Sequence, residues 1–267
     1  MQLVDRRLLS IILASCLLAA GAASQARSAP QAEPSATATS TASAGDVSAA
    51  MVKYAAAIGG RSLMERIHTQ VSVFTFPLLG RTMVVKTTTK TPCFFLQETQ
   101  AQGGTGKITI GFDGKTAWTQ GPDGTTTTLT GEKRAEVVSE AAGGNTSEVF
   151  PDRWPTQVTL KPDETHDGKT YVVLAIMPKD GLTHDILLDA HTYQPMVERS
   201  HESDVAVISI VNSFSKGPLG ELQAQSVTTT RSDGFPQVTA TLQTVRDNDA
   251  VDDAIFAPPL GKGGVTI

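Results

Sequence analysis

The sequence predicts a mainly β domain of the α+β class. It would be a curved antiparallel sheet that curls toward a barrel or half-barrel and is covered by a few helices. Three observations predict this. Short Thr- and Val-rich segments succeed one another along most of the chain. Asp-Gly and Gly-Gly turns separate them, supplying the positive φ that tight hairpins need. One helix-prone insert interrupts the run in mid-chain. An up-and-down sheet of this size tends to curl rather than stay open and flat.

The N-terminus has the parts of a secretory signal. Arg6-Arg7 precede an apolar run from Leu8 to Ala23, and small residues follow. The run is too short and too Ala/Gly-rich to span a bilayer, which needs about 20 predominantly apolar residues. Ala20-Gly21-Ala22 and Ser24-Gln25-Ala26 offer cleavage sites, so residues 1–26 read as a signal peptide and the protein as exported to the periplasm. An alternative stays open. Leu13-Ala14-Ser15-Cys16 looks like a lipobox, in which Cys16 would be lipidated and anchor the protein to the envelope. Leu17-Leu18 carries the apolar run past that cysteine, which suits cleavage further on. Residues 27–45 are Ala, Ser, Thr, Pro and Gln with almost no large apolar side chain, and read as a disordered linker. A single domain follows over 46–259, then a flexible tail over 260–267.

Within the domain, Asp46 is placed to cap a helix over 47–58, with Val47, Met51, Tyr54 and Ile58 on one stripe and Gly59-Gly60 at its end. Residues 62–67 make a second short turn, with Ser62 and Glu65 at capping-box spacing. Strands follow over 71–76, 81–90, 93–100, 107–112, 115–120 and 125–130. Residues 131–142 are good helix formers ended by Gly143-Gly144, and 148–154 continue as irregular or helical structure. Strands resume over 157–161, 170–177, 184–189, 195–203, 205–213, 222–231 and 237–246. Residues 252–256 form a helical turn that Pro258-Pro259 stops. The insert 131–155 is expected to fold over the open edge of the sheet as its mobile cover, hinged at Gly143-Gly144.

Charge and motif content narrow the function. The formal charge is −5 and the basic residues are scattered, which argues against nucleic acid and against electrostatic docking on anionic lipid. No further segment is long and apolar enough to make an integral membrane protein. Cys93, in an apolar strand, reads as a buried small hydrophobe. His184, His191 and His201 fall in one hairpin with Asp185, Asp189, Glu198 and Glu202 nearby. If its turn centres on Thr192-Tyr193, His184 and His201 face each other and could hold zinc with a carboxylate. A solvated polar face is the better account of them, because no ligand pair has a recognised local spacing, and no metal site is assigned. The sequence holds no G-x-S-x-G, H-E-x-x-H, P-loop or dinucleotide fingerprint, so no enzyme activity and no cofactor are assigned. Carboxylates paired only by the fold would leave no such motif.

Four motifs carry a resemblance. They are Tyr54-Ala55-Ala56-Ala57-Ile58-Gly59-Gly60, Gly111-Phe112-Asp113-Gly114-Lys115-Thr116-Ala117-Trp118, Leu187-Leu188-Asp189-Ala190-His191-Thr192-Tyr193-Gln194-Pro195, and Val251-Asp252-Asp253-Ala254-Ile255-Phe256. Their order and spacing resemble the outer-membrane lipoprotein-sorting-like family of bacterial exported proteins. That family is related in fold to the periplasmic carrier and outer-membrane receptor of lipoprotein localisation. The resemblance implies an incomplete antiparallel barrel covered by helices, with an apolar cavity between them. It also implies a non-catalytic, monomeric binding protein for a lipid or acyl chain, or a scaffold for an envelope protein partner. No acyl-binding residue of the carrier matches a residue here. The cavity lining is instead expected from period-two apolar positions on consecutive strands: Met83, Val85, Phe94, Leu96, Ile108, Ile110 and Trp118, then Leu174, Ile176 and Leu188. Packing of the same positions as a plain core is the competing expectation.

Overall fold

The computed structural model describes residues 44–259 and 265–266. The signal peptide, most of the linker and all of the expected flexible tail except 265–266 lie outside the described residues, and those two residues form a strand. Among the described residues there are three α-helices: α1 (Ala44–Ala57), α2 (Arg61–Glu65) and α3 (Gly131–Gly144). The strands are β1 (Thr69–Leu78), β2 (Arg81–Lys90), β3 (Phe94–Ala101), β4 (Lys107–Phe112), β5 (Ala117–Gln120), β6 (Thr126–Thr128), β7 (Thr156–His166), β8 (Lys169–Pro178), β9 (His184–Asp189), β10 (Pro195–Glu202), β11 (Val205–Lys216), β12 (Leu222–Arg231), β13 (Val238–Asp247) and β14 (Val265–Thr266).

All of them join one sheet, in the order β14-β6-β5-β4-β3-β2-β1-β13-β12-β11-β10-β9-β8-β7. The strands β1 to β13 pair antiparallel, and only β14 lies parallel, beside β6. The first and last long strands meet where β1 pairs with β13, while among the described residues β7 and β14 form the two outer edges. The sheet is therefore an incomplete barrel. Its hairpins follow the turn chemistry of the sequence. Between β7 and β8, Asp167 and Gly168 have φ of 51° and 75°, so a two-residue turn sets His166 opposite Lys169.

One face is covered by helices. Tyr54, Ala50 and Ala55 of α1, with Ile58 beyond it, pack on Phe74, Phe76, Val85, Leu174, Ile176 and Leu188. Val137, Val138, Ala141 and Ala142 of α3 pack on Phe95, Ile110, Phe112 and Ala117, with Cys93 in the same cluster. On the opposite face a 3-10 turn, Asp253–Phe256, covers Phe94, Leu96 and Trp118. The turn is capped by Asp252, whose side chain accepts from the Ala254 amide at 2.9 Å. The indole of Trp118 donates to the Phe256 carbonyl at 2.7 Å and lies against Gly111, where an added Cβ would come within 2.4 Å of the ring.

Several expectations are corrected. Helix α1 starts at Ala44, so Asp46 lies inside its first turn instead of capping it. Helix α2 has Gly60 at its N-cap and no side-chain cap, so Ser62 and Glu65 do not form a capping box. A register shift between Pro195 and Val197 sets Arg199 opposite Asp185. His184 and His201 therefore point to different faces of the hairpin, because strand side chains alternate. The ten apolar positions also divide. Register pairs Gly111 with both Leu96 and Trp118, while Ile110 pairs with Gln97. Phe94, Leu96 and Trp118 thus lie on the face under the 3-10 turn, and Met83, Val85, Ile108 and Ile110 on the helix-covered face. Period two puts alternate residues on a common face within each strand, but which face that is depends on cross-strand register.

Candidate functional site

Helix α3 places the candidate site. Its apolar residues 137, 138, 141 and 142 form one stripe, and Glu132, Glu136 and Glu140, each four apart, form another. The apolar stripe seats the helix on β3 to β5. The acidic stripe turns toward β10. Glu132 accepts from the Ser203 amide at 2.6 Å and its hydroxyl at 2.8 Å, tying the first turn of α3 to the β10–β11 turn. Ser139 accepts from the Leu182 amide at 2.7 Å and donates to the Leu182 carbonyl at 3.1 Å. The helix thus spans between the two limbs of the sheet. Its C-terminal end approaches β2 so closely that a Cβ on Gly144 would lie 2.6 Å from the Thr89 methyl.

Two solvent-open clefts meet at Gly143 and Gly144. The first, of about 560 Å³, lies between α3 and β10 and is lined by Glu136, Ser139, Glu140, Leu182, His184, Glu198, Ser200, His201 and Glu202. Glu198, Ser200 and Glu202 alternate along β10, so all three face the helix. Glu136 is paired with Lys133 at 2.6 Å, and Glu202 with Arg231 at 2.6 Å. Glu140 and Glu198 have neither hydrogen bond nor ion pair among the described residues. Burial, followed by the charges of Glu198, Glu202 and Glu136, raises the Glu140 carboxyl well above its ordinary range. Burial and then Glu148 push Glu198 up to about 7. Glu148 is also raised to about 7, mainly by burial, and its carboxylate accepts from the Tyr54 hydroxyl at 3.0 Å. A file of carboxylates therefore runs from the core at Tyr54 to the cleft mouth. Burial lowers the His184 pKa, so its imidazole is held neutral. The Ser139 hydroxyl is committed to the Leu182 backbone and is not set up as a nucleophile.

The second cleft, of about 680 Å³, opens between α2, β1, β2 and β12. Ile58, Met64, Ile67, Leu222 and Ala224 give it an apolar wall beside Gln70, Gln223 and Arg153. Its arginine is satisfied. The Arg153 guanidinium donates to the carbonyls of Asn145 at 3.1 Å and Met64 at 3.1 Å, and lies 4.2 Å from the Phe150 ring. Arg61 covers the other contact to that ring at 4.4 Å and donates to the Val149 carbonyl. Behind the wall, Gln70 donates to Asp247 at 2.9 Å and Gln223 to Glu221 at 3.0 Å. Burial and the neighbouring Glu221 raise Asp247 to about 6.

The ten residues expected to line a cavity are distributed differently from these clefts. Val85, Leu174, Ile176 and Leu188 lie beneath α1, with Met83 packed at the edge of that cluster. Ile110 lies beneath α3, Ile108 is half-buried on the same face, and Phe94, Leu96 and Trp118 occupy the other face. Of the acidic cleft, the sequence alone groups His184, Glu198, His201 and Glu202 on one hairpin, but not the glutamates of α3 against them. Its sequence signals are glutamates at spacing four on a helix (132, 136, 140) and at spacing four on a strand (198, 202). Only the tertiary fold brings the two sets together.

No protein-family model matches the chain, and no curated protein matches it in sequence. Three crystal structures share its fold. A LolA superfamily protein from Nitrosomonas europaea has a TM-score of 0.54 at 13% identity, covering 79% of this chain and 97% of that one. A DUF1329 family protein from Desulfovibrio piger has a TM-score of 0.53 at 13% identity, with the same coverage. A putative outer membrane lipoprotein-sorting protein domain from Vibrio parahaemolyticus has a TM-score of 0.50 at 9% identity, covering 73% of this chain and 93% of that one. The fold is that of the LolA-like incomplete barrels. Among the described residues no helix is long and apolar enough to cross a membrane.

Proposed function

We propose that the protein is a non-catalytic, exported binding protein that takes an apolar chain between its sheet and the α1–α2 cover. One observation carries the reading. The second cleft has an apolar wall of Ile58, Met64, Ile67, Leu222 and Ala224, and it adjoins the core beneath α1. The chain would enter past Ile58, Met64, Ile67 and Leu222 and continue along Val85, Leu174, Ile176 and Leu188 as α1 moves aside. Each methylene leaving water would contribute ~0.8 kcal/mol.

Packing makes α1 the better candidate for the moving part than the insert 131–155 expected from sequence. Its buried side chains are Ala50, Tyr54 and Ala55, and it is joined to α2 through Gly59-Gly60. Helix α3 instead seats four buried apolar side chains on three strands. Moving covers come from the low-stability end of a structure.

The test is titration with a dansyl-labelled undecanoic acid, read by its emission shift. The unmodified protein is expected to bind at micromolar concentration or better. Ala224→Trp, which fills the cleft, is expected to weaken binding at least about tenfold while the protein stays folded. Absence of probe binding by the unmodified protein would overturn the reading, as would full binding by a folded Ala224→Trp. Hydrogen exchange with and without the probe checks the cover: amides of α1 should slow on binding more than those of α3.

A further inference from the structure

Two carboxyl groups meet behind the second cleft, at the joint between α1 and α2. Glu221 is fully buried. Its carboxylate accepts from the Leu219 amide at 3.1 Å and from Gln223 at 3.0 Å. Asp247 stands beside it, within hydrogen-bonding reach. One Asp247 oxygen accepts from Gln70 at 2.9 Å, and the other, Oδ2, is buried and has no donor among the described residues. The charged groups on the surrounding elements are committed elsewhere or face water. Arg61 and Arg153 are spent on backbone carbonyls and Arg246 on Asp249, while Glu65, Arg66, His68 and Lys216 are exposed. A buried carboxylate oxygen without a donor is costly, and two carboxylates this close do not both ionise. Three N–H donors, from Gln70, Leu219 and Gln223, already converge on the pair and would repel a metal ion. The occupant that fits between the two carboxyls is a proton.

The pair sits where it can act on the cover. A Cβ on Gly59, in the α1–α2 joint, would lie 3.1 Å from the Glu221 Cα, and a Cβ on Gly217 would fall on the Glu221 carboxyl itself. The next residue, Leu222, donates its amide to the Ile58 carbonyl at 3.0 Å and belongs to the apolar wall of the second cleft. We infer that Asp247 and Glu221 form a proton-operated latch: sharing a proton they hold the α1–α2 joint against β12, and losing it they release the joint. Without the proton the two charges repel between β13 and the β11–β12 turn, and the Leu222–Ile58 bond is one residue away. Burial and then Glu221 raise Asp247 to about 6, above its unfolded value. The latch is therefore full below the ordinary carboxylate range and is lost as pH rises through about 6. That its release opens the second cleft to a ligand rests on the proposed function; the latch itself does not.

The test is hydrogen exchange on the whole protein at pH 5 and pH 7.5, expressed as protection factors so that the chemical rate cancels. The Leu222 amide and the Gly60 amide, which donates to Ala55, are expected to lose at least about tenfold in protection at the higher pH, relative to amides of β8. Asp247→Asn replaces the shared proton by a permanent N–H donor and should keep that protection at both pH values. Glu148→Gln removes the other titrating carboxyl against α1 and should leave the loss in place. Glu221→Gln makes the same replacement from the other side of the pair. The latch is overturned if the unmodified protein shows no such loss, if a folded Asp247→Asn or Glu221→Gln loses as much as the parent, or if Glu148→Gln abolishes the loss. The methyl ester of the dansyl-labelled undecanoic acid, whose head does not titrate, then reads the link to the cleft. Its association rate should rise with pH in the parent and stay level in Asp247→Asn. PH-dependent exchange without any probe binding would sink the proposed function and leave the latch standing, whereas probe binding with level exchange would sink the latch alone.

Discussion

The two clefts that meet at Gly143 and Gly144 treat charge in opposite ways. At the second cleft the guanidinium of Arg153, and behind it that of Arg61, are spent on backbone carbonyls and on the two contacts to the Phe150 ring. Those charges fasten α2 to the segment after α3 and leave the apolar wall to do any binding. In the first cleft Glu140 and Glu198 face one another without a counter-charge. A satisfied charge is accounted for by the architecture it holds. A half-buried carboxylate without a partner is instead pushed toward its neutral, protonated form, as Glu198 is.

The largest expected effect breaks the fastened side. Phe150→Ala removes a fully buried ring that both guanidiniums contact and should destabilise the domain by about 3–5 kcal/mol in urea unfolding. A cost near zero would mean that the second cleft is not held by this stack. Next, Arg153→Ala removes the charged donor shared by the Asn145 and Met64 carbonyls and should cost about 1.5–3 kcal/mol. It should also raise exchange in α2 while leaving α3 unchanged.

The pH dependence separates the clefts further. Glu148 and Glu198 titrate near 7 in the folded protein, above the ordinary carboxylate value they have when unfolded. Between about pH 4.5 and 7 the folded state therefore holds protons that the unfolded state has lost. Their contribution is full below that window and is lost as pH rises through 7. Stability should fall from pH 5 to pH 8, and Glu198→Gln should flatten that fall by on the order of 1–3 kcal/mol. An unchanged slope would show that the file of carboxylates is not what titrates. The smallest effect tests the compensated end of the same cleft. Lys133 is largely exposed, so Lys133→Ala should cost less than about 1 kcal/mol in thermal unfolding, despite its bond to Glu136.

Much of the fold is legible in the residues because its signals are local. Asp167-Gly168 demands a mirror-image turn and makes one, and the residues of α3 carry helix formers ended by paired glycines. Trp118 shows where legibility stops. Its strand is readable from sequence, yet its face is set by the register with Gly111 and by the arrival of Phe256 from the far end of the domain. The same limit hid the acidic cleft. Glu132, Glu136 and Glu140 form a visible stripe, and an acidic helical stripe ordinarily faces water.

The sequence by itself determined the class of the protein, the run of antiparallel hairpins, the helical insert and the burial of Cys93. These follow from turn chemistry, period and local hydrophobicity, which act over a few residues. Only the tertiary structure decided which face each strand turns to the helices and which limb α3 leans on. It alone placed Glu140 against Glu198, 58 positions apart in the chain. Register and helix docking are set by the summed packing of many distant side chains, and no stretch of sequence contains that sum.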